Sequence, residues 1–173
     1  MKYKNEEFEL TDEFIDIGYM AEEIEVIDIK DKKILIERAS SNRMIQIFLS
    51  FPSFEEFKEE IIVFDEFMND AKVEIFTYLL FNEKIDLPNF KKIKPVFDIN
   101  LDFADMYGTK IVSGTLENKL TKALFIIGKD GAVYHIDMPD DLETPLDIER
   151  VRIELNKVYQ SYTGVGCHEW YWK

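Results

Sequence analysis

The chain is poor in the residues that carry redox, metal and nucleic-acid chemistry. Its 173 residues include one cysteine and two histidines, and 35 acidic residues outnumber 21 basic ones to give a net charge of −14. One cysteine cannot form an internal disulfide, so nothing in the sequence calls for an oxidising compartment. The charge argues against a nucleic-acid partner, which needs clustered lysine and arginine, and an anionic membrane surface would repel it.

Long hydrophobic runs are also missing, and the chain contains only seven glycines and five prolines. No apolar stretch approaches the ~20 residues that span a membrane, and the first residues lack the apolar stretch of a signal peptide. Because 46% of the residues are hydrophobic, the chain is long enough to bury the core of one domain. We therefore expect a soluble, cytoplasmic protein with a single domain over residues 1–162 and a C-terminal aromatic tail over residues 163–173.

Short apolar runs dominate the first half of the chain. The longest, residues 44–51, has the composition of a central strand that is buried on both faces. Ser53 and Glu56 have the spacing of a capping box, which predicts the start of a helix. That helix carries an apolar stripe at helical spacing, made of Phe57, Ile61, Phe64 and Met68. Further strands are predicted over residues 8–10, 14–17, 24–29, 34–36 and 73–81.

The second half predicts short helices, a hairpin and a final helix. Residues 86–89 and 98–106 are typical of short helices, and Asp130-Gly131 predicts a tight hairpin between strands at 123–127 and 132–136. Thr144-Pro145 precedes a last helix, whose apolar face comprises Ile148, Val151, Leu155, Val158, Tyr159 and Tyr162. This order of elements predicts an α/β fold with a central mixed sheet flanked by helices and an N-terminal β-strand extension.

Four short motifs follow one another across this pattern. They are Phe-Pro-Ser at 51–53, Asp-Leu-Pro at 86–88, Tyr-Gly at 107–108 with Ser-Gly-Thr-Leu at 113–116, and Leu-Thr-Lys-Ala with four apolar residues at 120–127. In order and spacing, residues 43–160 resemble the bacterial thiol peroxidases, the atypical two-cysteine branch of the peroxiredoxins. The resemblance implies a thioredoxin-like fold and a homodimer formed by the surface around the active-site helix.

The chain departs from the motif of that family at every reactive position. The family has Pro-Ser followed by Thr-x-x-Cys, so counting from Pro52 places Glu56 at the threonine and Glu59 at the peroxidatic cysteine. Lys122 aligns with the arginine that supports the thiolate. The resolving cysteine falls near Pro95. Of the catalytic set that the resemblance implies, only Pro52 is retained.

These replacements exclude the reaction of the family at its usual position. A thiolate attacks one peroxide oxygen and becomes a sulfenic acid, which a second thiol resolves, and a carboxylate has no comparable cycle. Glu59 and Lys122 could form an ion pair in place of the thiolate and the guanidinium. Alternatively, Glu59 is an ordinary acid early in a helix, favoured there by the helix dipole and facing solvent. No aspartate-rich loop accompanies the glutamates, so we expect no metal and no cofactor.

The only cysteine, Cys167, lies in the tail. Thr163-Gly164-Val165-Gly166-Cys167 superficially resembles the Thr-Gly-Val-Cys of the family, but the spacing is one residue too long and no proline precedes it. The thiol could be inert, form an intermolecular disulfide or sense oxidants, or act directly in catalysis. Residues 170–172, Trp-Tyr-Trp, would make a sticky patch if exposed, so we expect them to pack on their own domain or at a dimer interface.

Three functions follow from these observations. The first is a non-catalytic relative of thiol peroxidase that acts by binding a protein or a second copy of itself. The second is a thiol-dependent peroxidase or oxidoreductase that uses Cys167 with an external reductant. The third is a small-molecule binder that keeps the old peroxide pocket, lined by Pro52, Glu56, Glu59 and Lys122.

Overall fold

A computed structural model describes residues 1–38, 44–72 and 74–163, with the side chains of the last helix described as far as residue 160. The sequence-based hypotheses about Cys167 and about the aromatic residues 170–172 therefore lie outside the described residues. None of the helices in the described ranges is long and apolar enough to cross a membrane.

The described chain contains nine strands and three α-helices. The strands are β1 Lys2–Tyr3, β2 Glu6–Glu7, β3 Ile24–Asp28, β4 Lys33–Ile36, β5 Gln46–Ser50, β6 Phe76–Phe81, β7 Lys94–Phe97, β8 Ala123–Ile127 and β9 Val133–Asp137. The helices are α1 Lys58–Asn69, which follows a 3₁₀ turn at Glu55–Phe57, α2 Asp102–Met106 and α3 Ile148–Thr163. Strands β3 to β9 form one sheet in the order β4-β3-β7-β6-β5-β8-β9, and β1 and β2 form a separate hairpin.

Strand β5 lies near the middle of the sheet, as its composition predicts. All five of its residues are buried, and it pairs in parallel with β6 and antiparallel with β8. Since β5 and β6 run in parallel, the chain between them must cross over, and α1 makes that crossover. The mixed sheet flanked by helices confirms the predicted α/β fold, and the β8–β9 pair confirms the Asp130-Gly131 hairpin.

The helices cover the sheet unequally. The predicted stripe on α1 is confirmed, because Ile61, Phe64 and Met68 are buried in the same apolar cluster as Val151 and Leu155 of α3. Helix α2 packs against the opposite face, in a second cluster centred on aromatic rings. Both long helices therefore lie on one face, and each begins at the edge of the sheet where β5 ends.

The predicted capping box at the start of α1 is wrong. Within the described structure Ser53 Oγ has no hydrogen-bond partner, and Glu56 instead accepts hydrogen bonds from the Tyr3 hydroxyl and from Lys4 Nζ. The chain enters α1 through the 3₁₀ turn at Glu55–Phe57, which no serine side chain caps. Ser53 and Glu56 have the spacing of a capping box, but they do not form the two side-chain-to-backbone hydrogen bonds that define one.

Residues 86–89, which were predicted to form a helix, have no regular secondary structure. Further along the same connection, the backbone bends at residues 91 and 92 and is held by Asp65, whose carboxylate accepts from the amides of Lys91, Lys92 and Ile93 at 2.8, 2.8 and 3.0 Å. Strand β7 follows directly. The sequence analysis missed β7 because its Lys-Pro-Val-Phe sequence is too short and too polar at its start to form a recognisable run.

Smaller differences concern the ends of elements and the first residues. No strand forms over residues 14–17, and the predicted strand at 8–10 is reduced to a single bridge at Leu10. The predicted helix over 98–106 is shortened to α2, whose first amides bond to Asp98. Helix α3 is capped by Asp147, which accepts from the Arg150 amide, so it begins later than Thr144-Pro145 suggests.

Candidate functional site

The residues singled out from the sequence lie where β5 ends and α1 begins. Pro52 is buried two residues beyond the end of β5. Ser50 pairs with Ala123 in the antiparallel β5–β8 ladder, so Lys122, immediately before β8, lies beside the same strand end. The sheet register thus brings Lys122 under the first turn of α1, as the resemblance implies for the basic residue of the site.

Lys122 is the centre of this arrangement, and its side chain is only 1% exposed. Its ammonium donates to Glu60 Oε2 at 2.6 Å and to the carbonyl oxygen of Thr144 at 2.9 Å. The second oxygen of the same carboxylate accepts from the Leu146 amide at 2.8 Å. The rings of two buried aromatics, Phe51 and Phe57, lie 5.8 and 5.2 Å from the ammonium. The buried charge is therefore paired and hydrogen-bonded, which is the condition for a lysine to be buried at all.

The predicted ion pair between Glu59 and Lys122 is wrong, because the partner of Lys122 is Glu60. Glu59 is exposed and makes no salt bridge with any residue in the described ranges. Successive side chains on an α-helix point about 100° apart, so only one of these two acids can face β8. The alternative interpretation of Glu59, an acid on the solvated side of α1, is the one that the exposure supports.

Glu60 is a site residue that the sequence analysis missed, although the helical stripe contains the signal for it. Phe57 and Phe64, three positions before it and four after it, are buried, so position 60 shares their side of the helix. An acid on the buried side of a helix needs a cation, and Lys122 is the buried cation that faces it. Counting along the family motif from Pro52 selects the neighbouring residue, Glu59, instead.

Glu56, at the threonine position of the motif, belongs to a different set of contacts. It bonds to Tyr3 and Lys4 of the N-terminal hairpin, and the ring of Tyr3 packs 5.6 Å from that of Phe57. The hydrogen bond from the Tyr3 hydroxyl, together with the one from Lys4, lowers the pKa of the Glu56 carboxyl. These contacts hold the β1–β2 hairpin against the start of α1.

The four residues predicted to line one pocket do not share a cavity. Glu56, Glu59 and Lys122 line a cleft of about 550 Å³, whereas Pro52 lines a neighbouring cavity of about 210 Å³ together with Glu56. Both glutamates are exposed, so neither is aimed at an enclosed ligand. The larger cleft is strongly acidic, since Glu55, Glu60 and Glu143 also line it. Across the described ranges, no group of three or more His, Cys, Asp or Glu side chains is arranged to hold a metal ion.

The chemistry available at this strand end is that of acids, one buried ammonium and hydroxyl groups. No thiol is present among the described residues, and the position of the peroxidatic cysteine holds the exposed Glu59. The cation that would stabilise a thiolate is engaged by a carboxylate and a backbone oxygen.

No protein-family model matches the chain, and none of the curated proteins matches it. Solved structures do. A peroxiredoxin-like protein from Aquifex aeolicus superposes with a TM-score of 0.77 at 22% identity, covering 91% of this chain and 94% of that one. Thiol peroxidase from Chromobacterium violaceum gives a TM-score of 0.76 at 14% identity, covering 92% and 96% of the two chains.

A more distant structure extends the likeness. The mitochondrial 2-cys peroxiredoxin from Plasmodium falciparum superposes with a TM-score of 0.64 at 18% identity, over 89% of this chain and 99% of that one. In each case nearly the whole of both chains is matched, so the likeness extends beyond a shared sheet. The chain has the thioredoxin-like fold of the peroxiredoxins.

Proposed function

We propose that this chain is a divergent, thiol peroxidase-like member of the peroxiredoxin family that has lost peroxide reductase activity and acts by binding. Its partner is a protein or a second copy of the chain in a cytoplasmic homodimer, as the resemblance implies. The observation that carries the proposal is the closed Lys122–Glu60 pair beside the strand end. A nearby cation stabilises a thiolate, and here the ammonium directs two of its three N–H donors to a carboxylate and to a backbone oxygen.

The test is peroxide consumption with thioredoxin or dithiothreitol as the reductant, comparing the wild type with Cys167→Ser. We expect no enzymatic turnover in either protein, and a thiol peroxidase assayed alongside under the same conditions confirms that the reductant is competent. Turnover in the wild type that disappears in Cys167→Ser would refute the proposal and establish the thiol as a catalyst.

The binding role has a separate test. Sedimentation equilibrium over a range of concentrations determines whether the chain associates with itself. A homodimer that persists on dilution supports a self-binding role, and a monomer at every concentration restricts the proposal to another protein partner. Because Cys167→Ser is included in the same series, a dimer held by an intermolecular disulfide is separated from one held by packing.

A further inference from the structure

The seven-stranded sheet has two edge strands, and the described residues cover only one of them. At the β9 edge, Val133 accepts a hydrogen bond from the Gly18 amide and donates one to the carbonyl oxygen of Tyr19, each at 2.8 Å. At the other edge, β4 pairs with β3 alone among the described strands. An uncovered edge presents unpaired amide and carbonyl groups to any strand that approaches it. The β4 edge is therefore the open side of this sheet.

The register of the β3–β4 hairpin shows which backbone groups of β4 are unpaired. The amide of Asp28 donates to the carbonyl oxygen of Lys32 at 2.9 Å, and the alternation of an antiparallel ladder then directs the even-numbered residues of β4 to β3. Lys33 and Leu35 direct their amide and carbonyl groups the other way, out of the sheet. In the part of the chain that the structure describes, no backbone group bonds to them on that side.

The side chains along this edge alternate in the same way. Lys33, Leu35 and Glu37 share one face of the hairpin, and Ile36 is buried on the other. All three are exposed, and Leu35 is 56% exposed. Neither Lys33 nor Glu37 forms a salt bridge with a residue in the described ranges. The edge thus presents one leucine with an unpaired cation two residues before it and an unpaired anion two residues after it.

We infer that β4 pairs antiparallel with β4 of a second copy of the chain, with Leu35 opposite Leu35 of the partner subunit. Two-fold symmetry then places Lys33 of each copy opposite Glu37 of the partner subunit, so two ion pairs flank the leucines. The backbone bonds of this pairing centre on Leu35, because the carbonyl oxygen of Glu37 already accepts from Gln46 at 3.1 Å. The two sheets join into one across the symmetry axis.

The sequence of the strand favours this register over its neighbour. On the second face of the hairpin it sets Ile34 opposite Ile36 of the partner subunit, so that apolar residues meet on both faces. A slip that places Lys33 opposite Leu35 of the partner subunit removes both ion pairs. It also brings Glu37 opposite Asp31 of the partner subunit, and like charges directly opposite are destabilising.

Charge also makes a second copy a suitable occupant of this edge. Each copy carries a net charge of −14, so repulsion opposes contact between most parts of the two surfaces. Residues 28–38 are an exception, with four basic and three acidic side chains. The inference deepens the binding role proposed above and rests on it for the second copy as the partner, but it places the contact at the sheet edge and not on the surface around α1.

Two matched variants locate the interface by sedimentation equilibrium of the whole protein. Leu35→Asp sets two carboxylates opposite each other and should raise the dissociation constant of the dimer by more than about tenfold. Ile62→Asp makes the same kind of change at a residue of α1 that is 37% exposed, on the surface that the family resemblance implies for a dimer. It should leave the dissociation constant as in the wild type. Far-UV circular dichroism checks that each variant keeps its secondary structure.

A charge swap tests the two ion pairs. Lys33→Glu and Glu37→Lys each turn both pairs into like-charged pairs, so each should weaken the dimer about tenfold. The double variant Lys33→Glu/Glu37→Lys restores both pairs in reverse and should return the dissociation constant to that of the wild type. The two single changes shift the net charge in opposite directions, so a general effect of net charge would weaken one dimer and strengthen the other.

Disulfide formation tests the register. In the Cys167→Ser background, Leu35→Cys places two Cα atoms about 5.5 Å apart across the symmetry axis, a distance that a disulfide spans. Lys33→Cys on the same strand separates its two thiols by four residues, or roughly 14 Å, which a disulfide cannot bridge. With oxidised glutathione we expect Leu35→Cys to form a covalent dimer several-fold faster than Lys33→Cys.

Three results would overturn the inference. The first is a wild type that is monomeric at every concentration, which decides the matter without any variant and leaves another protein as the partner in the proposed function. The second is a dimer that Ile62→Asp abolishes and Leu35→Asp leaves intact, which keeps the proposed self-binding role and moves it to α1. The third is equal cross-linking of Leu35→Cys and Lys33→Cys. Peroxide turnover, in contrast, bears on the proposed function and not on the pairing of β4.

Discussion

Replacing Lys122 with methionine tests whether the buried Lys122–Glu60 pair stabilises the folded protein. Methionine keeps an unbranched side chain of similar length and removes the charge, so the packing against Phe51 and Phe57 is largely retained. What is lost is the ammonium, which satisfies one oxygen of Glu60 and the carbonyl of Thr144. The Glu60 carboxylate is left with one backbone donor, the Leu146 amide.

The size of the effect follows from the burial of the two partners. Removing one member of a buried ion pair typically costs about 3–5 kcal/mol, because an uncompensated charge remains. Glu60 is 20% exposed and keeps its bond from Leu146, so we expect Lys122→Met to fall at the lower end, about 3 kcal/mol. Adding Glu60→Leu removes the stranded carboxylate and should recover part of that loss.

The assay is urea unfolding followed by far-UV circular dichroism, with Lys119→Met as the matched control. Lys119 pairs with Glu83 at 2.5 Å in a more exposed setting, so its loss should cost no more than about 1 kcal/mol. Equal losses for Lys122→Met and Lys119→Met would show that burial of the first pair does not matter. A double variant less stable than Lys122→Met alone would contradict the account of a stranded charge.

Three further predictions concern reactivity, pH and backbone conformation. In a background with Cys167→Ser, Glu60→Cys should give a thiol whose pKa is lowered by the buried ammonium of Lys122, whereas the thiol of Glu59→Cys should titrate near 8.5. The pH dependence of alkylation by iodoacetamide measures both pKa values. Indistinguishable pH profiles would contradict the placement of position 60, and not position 59, beside Lys122. Burial raises the pKa of Asp98 from 3.8 to about 6, so the folded state holds its proton more tightly than the unfolded state does. The stability that Asp98 contributes should therefore fall by up to about 3 kcal/mol as the pH rises from about 4 to above 6. The free energy of unfolding of the wild type minus that of Asp98→Asn, measured from pH 3 to 7, should fall by the same amount. A difference that stays constant over this range would refute the prediction. Gly108 has φ +70°, and a Cβ there would lie 2.4 Å from a backbone oxygen, so Gly108→Ala should cost more than about 3 kcal/mol; Gly18→Ala, at φ +91° with nothing within 4 Å of its Cβ, should cost only about 1–2 kcal/mol in thermal unfolding.

The sequence predicts the framework of this fold well where hydrophobic periodicity and turn chemistry agree. Strand β5 follows from an apolar run, α1 from its stripe, and the β8–β9 hairpin from Asp130-Gly131. It predicts poorly where a segment is shaped by a distant side chain. The connection before β7 is held by Asp65 of α1, a long-range contact that no local pattern contains.

The site illustrates the same limit at the level of one residue. The motif count correctly places Lys122 beside the start of α1 and correctly finds no thiol there. It selects the wrong glutamate, because the count is linear, whereas the contact depends on the direction in which each side chain leaves the helix. The Thr144 and Leu146 contacts arise from a loop whose path only the folded chain determines.

The double engagement of Glu60 determines what a new thiol at this strand end would meet. A cysteine that arose at position 59 would point into water, where Glu59 points now, and would find the basic residue already occupied. A cysteine at position 60 would meet the ammonium but would release the loop that the carboxylate secures through Leu146. A thiol beside the buried ammonium that also leaves this loop contact intact therefore needs coordinated substitutions rather than a single one.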